Sequence, residues 1–183
     1  MILNSNQIET SIKDGSIVID PFNKNQLNPN SYDLRLAETV ISYRKGMVFD
    51  CAKDDYSNPD NFTKQIIGPD GFQLYPGHLY LMATKEHTES ISYVPMIEGR
   101  SSLARLGINV HNTAGFGDVG FVGTWTLEVS VINPVIIYAN MRVCQLYFLT
   151  IDNPSHFYHG KYNTQKEPKT SQLFVEKSEW KIR

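Results

Sequence analysis

The run from Glu98 to Glu128, EGRSSLARLGINVHNTAGFGDVGFVGTWTLE, holds six of the chain's 12 glycines: Gly99, Gly107, Gly115, Gly117, Gly120 and Gly123. Glycine costs folding entropy, so such a cluster marks backbone that must turn sharply or let another group come close. At its front, Gly99-Arg100-Ser101-Ser102 precedes Leu103-Ala104-Arg105-Leu106 and a stop at Gly107. That pattern predicts one short helical turn, capped by a serine and ended by glycine. Its N–H groups, the hydroxyls of Ser101 and Ser102 and the guanidiniums of Arg100 and Arg105 make either an anion cradle suited to a polyphosphate or a solvated basic turn.

The second half of the run is apolar but punctuated. Gly115 to Gly123 predicts a tight hairpin or loop, and Thr124 to Val131 (TWTLEVSV) a strand. Period-two alternation puts Thr124, Thr126, Glu128 and Ser130 on one face and Trp125, Leu127, Val129 and Val131 on the other. Glu128 is then either one carboxylate on a solvated sheet face or a pocket acid with a raised pKa.

Elsewhere, Asn4 to Gly15 reads as a short amphipathic helix capped by Asn4 or Ser5, with Ile8 and Ile12 on its buried face and Gly15 ending it. Strands are expected at Ser16–Ile19, from Tyr32 to Leu36 after an Asn28-Pro29-Asn30 turn, and after the turn at Pro76-Gly77. Further ones are expected at Val129–Ile132, Val135–Tyr138 and Val143–Leu149. Asp33 and Arg35 are expected to form an ion pair holding loops or subunits together. The pattern is weak from Val40 to Gln73, where Asp54 to Asn61 reads as an exposed polar loop. Short strands, turn signals about every eight to twelve residues and only two short helical pieces argue for an all-β barrel or jelly roll.

At 183 residues the chain suits one domain, and a net charge of −2 supplies no global field for nucleic acid. No apolar run approaches the ~18 residues of a membrane span, and no basic-then-apolar leader opens the chain. The two cysteines, Cys51 and Cys144, give no disulfide framework; Cys144 lies in an apolar run and reads as core. A cytoplasmic location is the resulting expectation.

Three blocks, GRSSLARLG, then H-x-TAGFGDVGF-x-G, then WTLE, occur in an order and spacing that resemble the dCTP deaminase family, a branch of the trimeric dUTPase superfamily. The segment NPNSYDLRL (Asn28–Leu36) adds a further matching block, and the resemblance covers nearly the whole chain. It implies a distorted jelly roll of the dUTPase-like type with short helices, one domain over residues 1–183, assembled as a homotrimer with active sites between subunits. It also implies that the polar, basic tail, residues 155–183, is a lid rather than a frayed terminus, placing Lys161 and Gln165 at the ligand with Tyr158 beside them.

The chemistry expected is hydrolytic deamination of dCTP. Zinc is one known solution, with an H-x-E and P-C-x-x-C signature. His87-Thr88-Glu89 supplies the first half, but no C-x-x-C exists and the cysteines lie far apart, so zinc is not expected. The alternative is a carboxylate cycling between base and acid in a dry pocket, and Glu128 stands at the matching family position. The resemblance further implies that backbone groups at Thr113 and Ala114, with Ser101 and Arg105, orient the water and the amino group. Arg100, Ser101, Ser102 and Arg105 would hold the triphosphate, Mg²⁺ sharing its charge without a protein ligand. Nucleotide contacts are implied at Thr126, Leu127 and Gln145, and sugar and water contacts at Asp118, a second catalytic candidate. Phe121, Phe116 and the compact Y-x-G-K-Y-x-x-Q-K tail (Tyr158–Lys166) lean toward bifunctional enzymes that carry dCTP to dUMP. The resemblance also implies feedback by dTTP. Rival readings are a single-step deaminase, a dUTPase without deamination, and a non-catalytic nucleotide-binding trimer. His111 reads equally as a ligand or subunit contact and as a structural histidine.

Overall fold

In the computed structural model of the chain, residues 1–52 and 55–179 are described. Helix α1 (Ser5–Lys13) begins with a reciprocal cap. Asn4 Oδ1 accepts from the Gln7 N–H at 3.0 Å and the Asn4 N–H donates to Gln7 Oε1 at 2.9 Å, satisfying two otherwise orphaned donors. Ile8 is fully buried, and Gly15 follows the helix with φ +81°.

The strands are short, as the turn signals require. They are β1 (Ile17–Asp20), β2 (Tyr32–Tyr43), β3 (Phe62–Ile66), β4 (Phe72–Leu74), β5 (Tyr80–Thr84), β6 (His87–Ser90) and β7 (Tyr93–Gly99). After helix α2 (Ser101–Ala104) come β8 (Ile108–Asn109), β9 (Val122–Gly123), β10 (Thr126–Val131), β11 (Val135–Ile137) and β12 (Arg142–Thr150). The main sheet runs β7-β12-β2-β5-β10-β8, with β3 also on β2; smaller sheets join β1-β6-β9 and β11-β4. All these pairings are antiparallel. The main sheet curls into a nearly closed barrel around Leu34, Leu36, Met82, Leu127, Leu146 and Phe148. Among the described residues no helix is long and apolar enough to cross a membrane.

The alternation read in Thr124–Val131 is present: Leu127, Val129 and Val131 are buried, Thr126, Glu128 and Ser130 half-buried on the other face. The strand starts two residues later than expected because two N–H groups are diverted. Thr124 N–H donates to Gln165 O at 2.9 Å and Trp125 N–H to Thr84 Oγ1 at 2.9 Å. Two further local expectations are corrected. β1 is shifted by one residue from Ser16–Ile19. The N-cap of α2 is Arg100, with no side-chain cap bond, rather than a serine. Of the hairpin or loop expected at Gly115–Gly123 the structure has a loop, bonded to other segments: Gly117 N–H reaches Pro95 O and Gly120 N–H reaches Ser90 O.

Asp33 and Arg35 do not pair with each other. Alternate residues on a strand stand roughly 6–7 Å apart, and each finds a closer partner across the sheet. Arg35 Nε meets the fully buried Glu86 at 2.6 Å, while Asp33 meets Arg100 and Arg142. In the Asp54–Asn61 segment Asp54 lies outside the described residues, Pro59–Asn61 forms a 3₁₀ turn, and Tyr56 is buried rather than exposed.

Candidate active site

Glu128 projects from β10 into a cavity of about 870 Å³ whose lining includes Ala114, Phe116, Asp118, Phe121, Thr126, Tyr158 and Gln165. Its position follows from the strand pattern: Leu127 and Val129 are anchored in the core, so Glu128 between them must face the cavity. Burial pushes the Glu128 carboxyl above the ordinary glutamate range. Backbone N–H groups of Asn112 and Glu128 itself, and the nearby His111, pull the other way without cancelling the effect. One carboxylate oxygen, Oε2, is buried without a hydrogen-bond partner. A buried unpaired acceptor is costly, and the residue that carries it lines a space large enough for a nucleotide.

The loop leading to β10 carries backbone strain at the same place. Thr113, β-branched, sits at φ +65°, a conformation that costs of order 1–3 kcal/mol and persists where the surroundings fix it. The aromatic wall is continuous: Phe121 lies 4.8 Å from Trp125 and 6.1 Å from Tyr158, centroid to centroid. Trp125 is fixed by its indole N–H, which donates to Thr88 Oγ1 at 2.9 Å.

The tail lies against this wall. Gln165 is buried, its Nε2 donates to Thr124 O at 2.7 Å, and its backbone pairs with Gly123. That approach is possible only because Gly123 has φ +139° and no side chain; a Cβ there would stand 2.6 Å from Gln165 O. Gly120 does the same beneath Phe157 and Tyr158. Farther along, Lys169 N–H donates to Thr126 Oγ1 at 3.1 Å and Ser171 N–H to Tyr43 Oη at 3.0 Å. Lys161 does not line the cavity. It is paired with Glu176 from the 3₁₀ turn Leu173–Glu179, which also holds its ammonium above the usual lysine range.

The candidate phosphate residues form a second cluster. Arg100 contacts Asp33 Oδ2 at 3.3 Å and Arg142 O at 3.2 Å, Arg105 turns back to Ser101 O at 3.2 Å, and Ser101 and Ser102 are exposed. Gln145 stands on β12 directly across from Asp33 and Glu98. None of Arg100, Ser101, Ser102, Arg105 or Gln145 lines the Glu128 cavity. Leu127 is 1 % exposed, which leaves only its backbone for a ligand. His111 sits near Glu128, 3.7 Å from Glu98 through Nε2, with Nδ1 buried and unpartnered. His87 and Glu89 pair with each other at 2.8 Å, and among the described residues no three metal-binding side chains converge.

Sequence reasoning missed Arg142, Tyr43 and Tyr162. Arg142 has a weak signal, a lone cation at the polar edge of an apolar strand. Tyr43 and Tyr162 have none, because their roles arise from where the tail folds back.

A family profile described as dCTP deaminase-like matches residues 2–151. A Clostridium acetobutylicum protein named "dCTP deaminase, dUMP-forming" is 44 % identical over 176 residues, 95 % of this chain and 97 % of that one. One of the same name from Cytophaga hutchinsonii is 43 % identical over 175 residues, 95 % of this chain and 97 % of that one. Among solved structures, the 2'-deoxycytidine 5'-triphosphate deaminase of Agrobacterium tumefaciens aligns with TM-score 0.61 at 21 % identity. It covers 80 % of this chain, which spans 47 % of that longer chain, and the likeness bears on the fold alone.

Proposed function

The chain belongs to the dCTP deaminase-like family, and from this we propose that it hydrolyses dCTP to dUMP, ammonia and pyrophosphate, consuming two waters. The observation that carries this reading is Glu128: a half-buried carboxylate with a raised pKa and one buried, unpaired oxygen, on a residue that lines a nucleotide-sized cavity.

In the first step Glu128 removes a proton from water, the oxygen attacks C4 of the cytosine, and Glu128 passes the proton to N3. The C4–N bond of the tetrahedral intermediate then breaks, with a proton delivered to the departing amine. A raised pKa suits a group that must be base and then acid near neutral pH. The backbone at Thr113 and Ala114 orients the water and the amino group. In the second step Asp118, exposed at the cavity edge, holds the sugar and directs water onto the α-phosphorus. Bond cleavage there releases pyrophosphate.

Arg100, Ser101, Ser102 and Arg105 hold the triphosphate. Because they do not line the Glu128 cavity of their own chain, a complete site joins the two half-sites of neighbouring copies, which a homotrimer provides. Mg²⁺ would be held by the phosphate oxygens of the bound nucleotide. When bound, the ion offsets triphosphate charge. Residues 1–183 act as one domain and the tail as a lid, with Tyr158 and Gln165 over the nucleotide; residues 180–183 of that tail lie outside the described residues. Lys161 reaches the phosphates after leaving Glu176. Feedback by dTTP at the same site and a cytoplasmic location complete the proposal.

The test is to incubate the protein with dCTP and Mg²⁺ and follow ammonia, dUTP, dUMP and pyrophosphate. Ammonia with equal dUMP and pyrophosphate is the expected result. Accumulating dUTP would mean the reaction stops after deamination, and turnover of dUTP without dCTP would overturn the deaminase reading.

A further inference from the structure

Asp33, on β2, is 2 % exposed. Its Oδ1 accepts from Asn28 Nδ2 at 2.9 Å. Its Oδ2 is shared by two guanidiniums, Arg100 Nη2 at 3.3 Å and Arg142 Nη1 at 3.4 Å. One carboxylate offsets one of these charges, so the trio retains a net charge of +1. The carboxylate lies inside while the guanidiniums reach the surface, with side chains 29 % and 39 % exposed.

Each guanidinium has five N–H donors in a fixed fork. Arg100 uses Nη2 toward Asp33 and Nη1 toward Arg142 O, and Arg142 uses Nη1 toward Asp33. Both side chains are partly exposed, and the planar guanidinium fork is suited to phosphate oxygens. Register fixes where these side chains start from. Cys144 pairs with Gly99 at the end of the antiparallel β7–β12 ladder, and just beyond it Arg100 Nη1 donates to Arg142 O at 3.2 Å, which sets the two arginines beside each other.

We propose that Asp33 is a positioning residue that sets Arg100 and Arg142 side by side, and that Arg142 is a further binding residue for the triphosphate, beside Arg100. This rests on the reading of the protein as acting on dCTP. The arrangement supplies what a single exposed arginine lacks: a long, rotamer-rich side chain is already fixed before the ligand arrives, so less freedom is lost on binding.

The experiment measures steady-state kinetics with dCTP and inhibition by inorganic tripolyphosphate, for the wild type, Arg142→Gln, Arg142→Lys and Asp33→Asn. Arg142 is partly exposed, so its variants are expected to fold, and they decide the matter if Asp33→Asn does not. Loss of one charge-assisted phosphate contact corresponds to about a ten- to hundredfold rise in KM for dCTP, with kcat held within about threefold. The tripolyphosphate inhibition constant rises in parallel, and Arg142→Lys recovers part of both. Asp33→Asn raises KM in the same direction while ammonia release at saturation persists. An Arg142→Gln enzyme with KM and tripolyphosphate inhibition unchanged overturns the proposal, as does a loss confined to kcat. If the wild type releases no ammonia from dCTP, the deaminase reading has failed instead, so the two failures are distinguishable.

Discussion

Replacing Gly123 with alanine tests whether the tail is a lid. Gly123 occupies φ +139°, and an alanine Cβ would stand 2.6 Å from Gln165 O and 3.0 Å from Gln165 N. Keeping the tail in place costs of order 1–3 kcal/mol in backbone strain alone, before the overlap is counted. Releasing it instead forfeits Thr124 N–H to Gln165 O at 2.9 Å, Thr164 N–H to Val122 O at 2.7 Å and Gln165 Nε2 to Thr124 O at 2.7 Å. At about 0.5–1.5 kcal/mol net for each bond, the two routes are comparable, and either weakens closure by roughly 2 kcal/mol, about thirtyfold in the closed fraction. The assay is limited trypsin cleavage at Lys161, Lys166 and Lys169 alongside dCTP kinetics. Gly123→Ala should be cut faster and show a raised KM, while the melting of the barrel, which lies beneath the tail, changes little. Gly15→Ala is the control: it carries φ +81° but meets nothing within 4 Å, so it strains the backbone without touching the tail. Unchanged proteolysis and unchanged KM in Gly123→Ala, with the barrel folded, would refute the reasoning.

Three further outcomes are expected. Because the Glu128 carboxyl is raised in the folded chain by burial, the folded state binds its proton more tightly than the unfolded state does. Stability is therefore lost as pH rises from the ordinary glutamate value through the folded one. Glu128→Gln should accordingly be more stable than wild type at neutral pH, the difference vanishing below the ordinary value; denaturant titrations at both pH values check this. The same shift places the acid limb of kcat/KM above the ordinary glutamate pKa. Glu86→Gln should lower stability by about 3 kcal/mol, since fully buried Glu86 accepts from Arg35 N at 2.7 Å, Arg35 Nε at 2.6 Å and Gln26 Nε2 at 3.0 Å. A thermal melt within about one degree of wild type would contradict that. Phenanthroline in excess Mg²⁺ should leave the deamination rate unchanged, and strong inhibition would contradict a metal-free water.

The barrel was legible because period-two alternation in segments such as Thr126–Val131 and the turn chemistry at Asn28-Pro29 and Pro76-Gly77 are local signals. The carboxylate facing the cavity was legible for the same reason, since Leu127 and Val129 fix which way Glu128 must point. The charge pairing was not. Asp33 lies two residues from Arg35 in sequence, yet its partners are Arg100 and Arg142, brought beside it by β12 and the start of α2. Lys161 illustrates the same limit: its motif aims it at a ligand, while its observed partner, Glu176, follows from where the 3₁₀ turn packs. The weak pattern over Val40–Gln73 concealed β3 and the aromatic contacts of Tyr43, Phe49 and Tyr56, because edge strands and loop aromatics lack alternation to read.

The central claim is that one carboxyl group, without a metal on the attacking water, carries the proton from that water to the cytosine ring. The direct measurement is ammonia release from dCTP by Glu128→Gln, with nucleotide binding followed in parallel. Binding that persists while ammonia release falls by at least about a thousandfold is the predicted result. Ammonia release at a rate near the wild type's would contradict it.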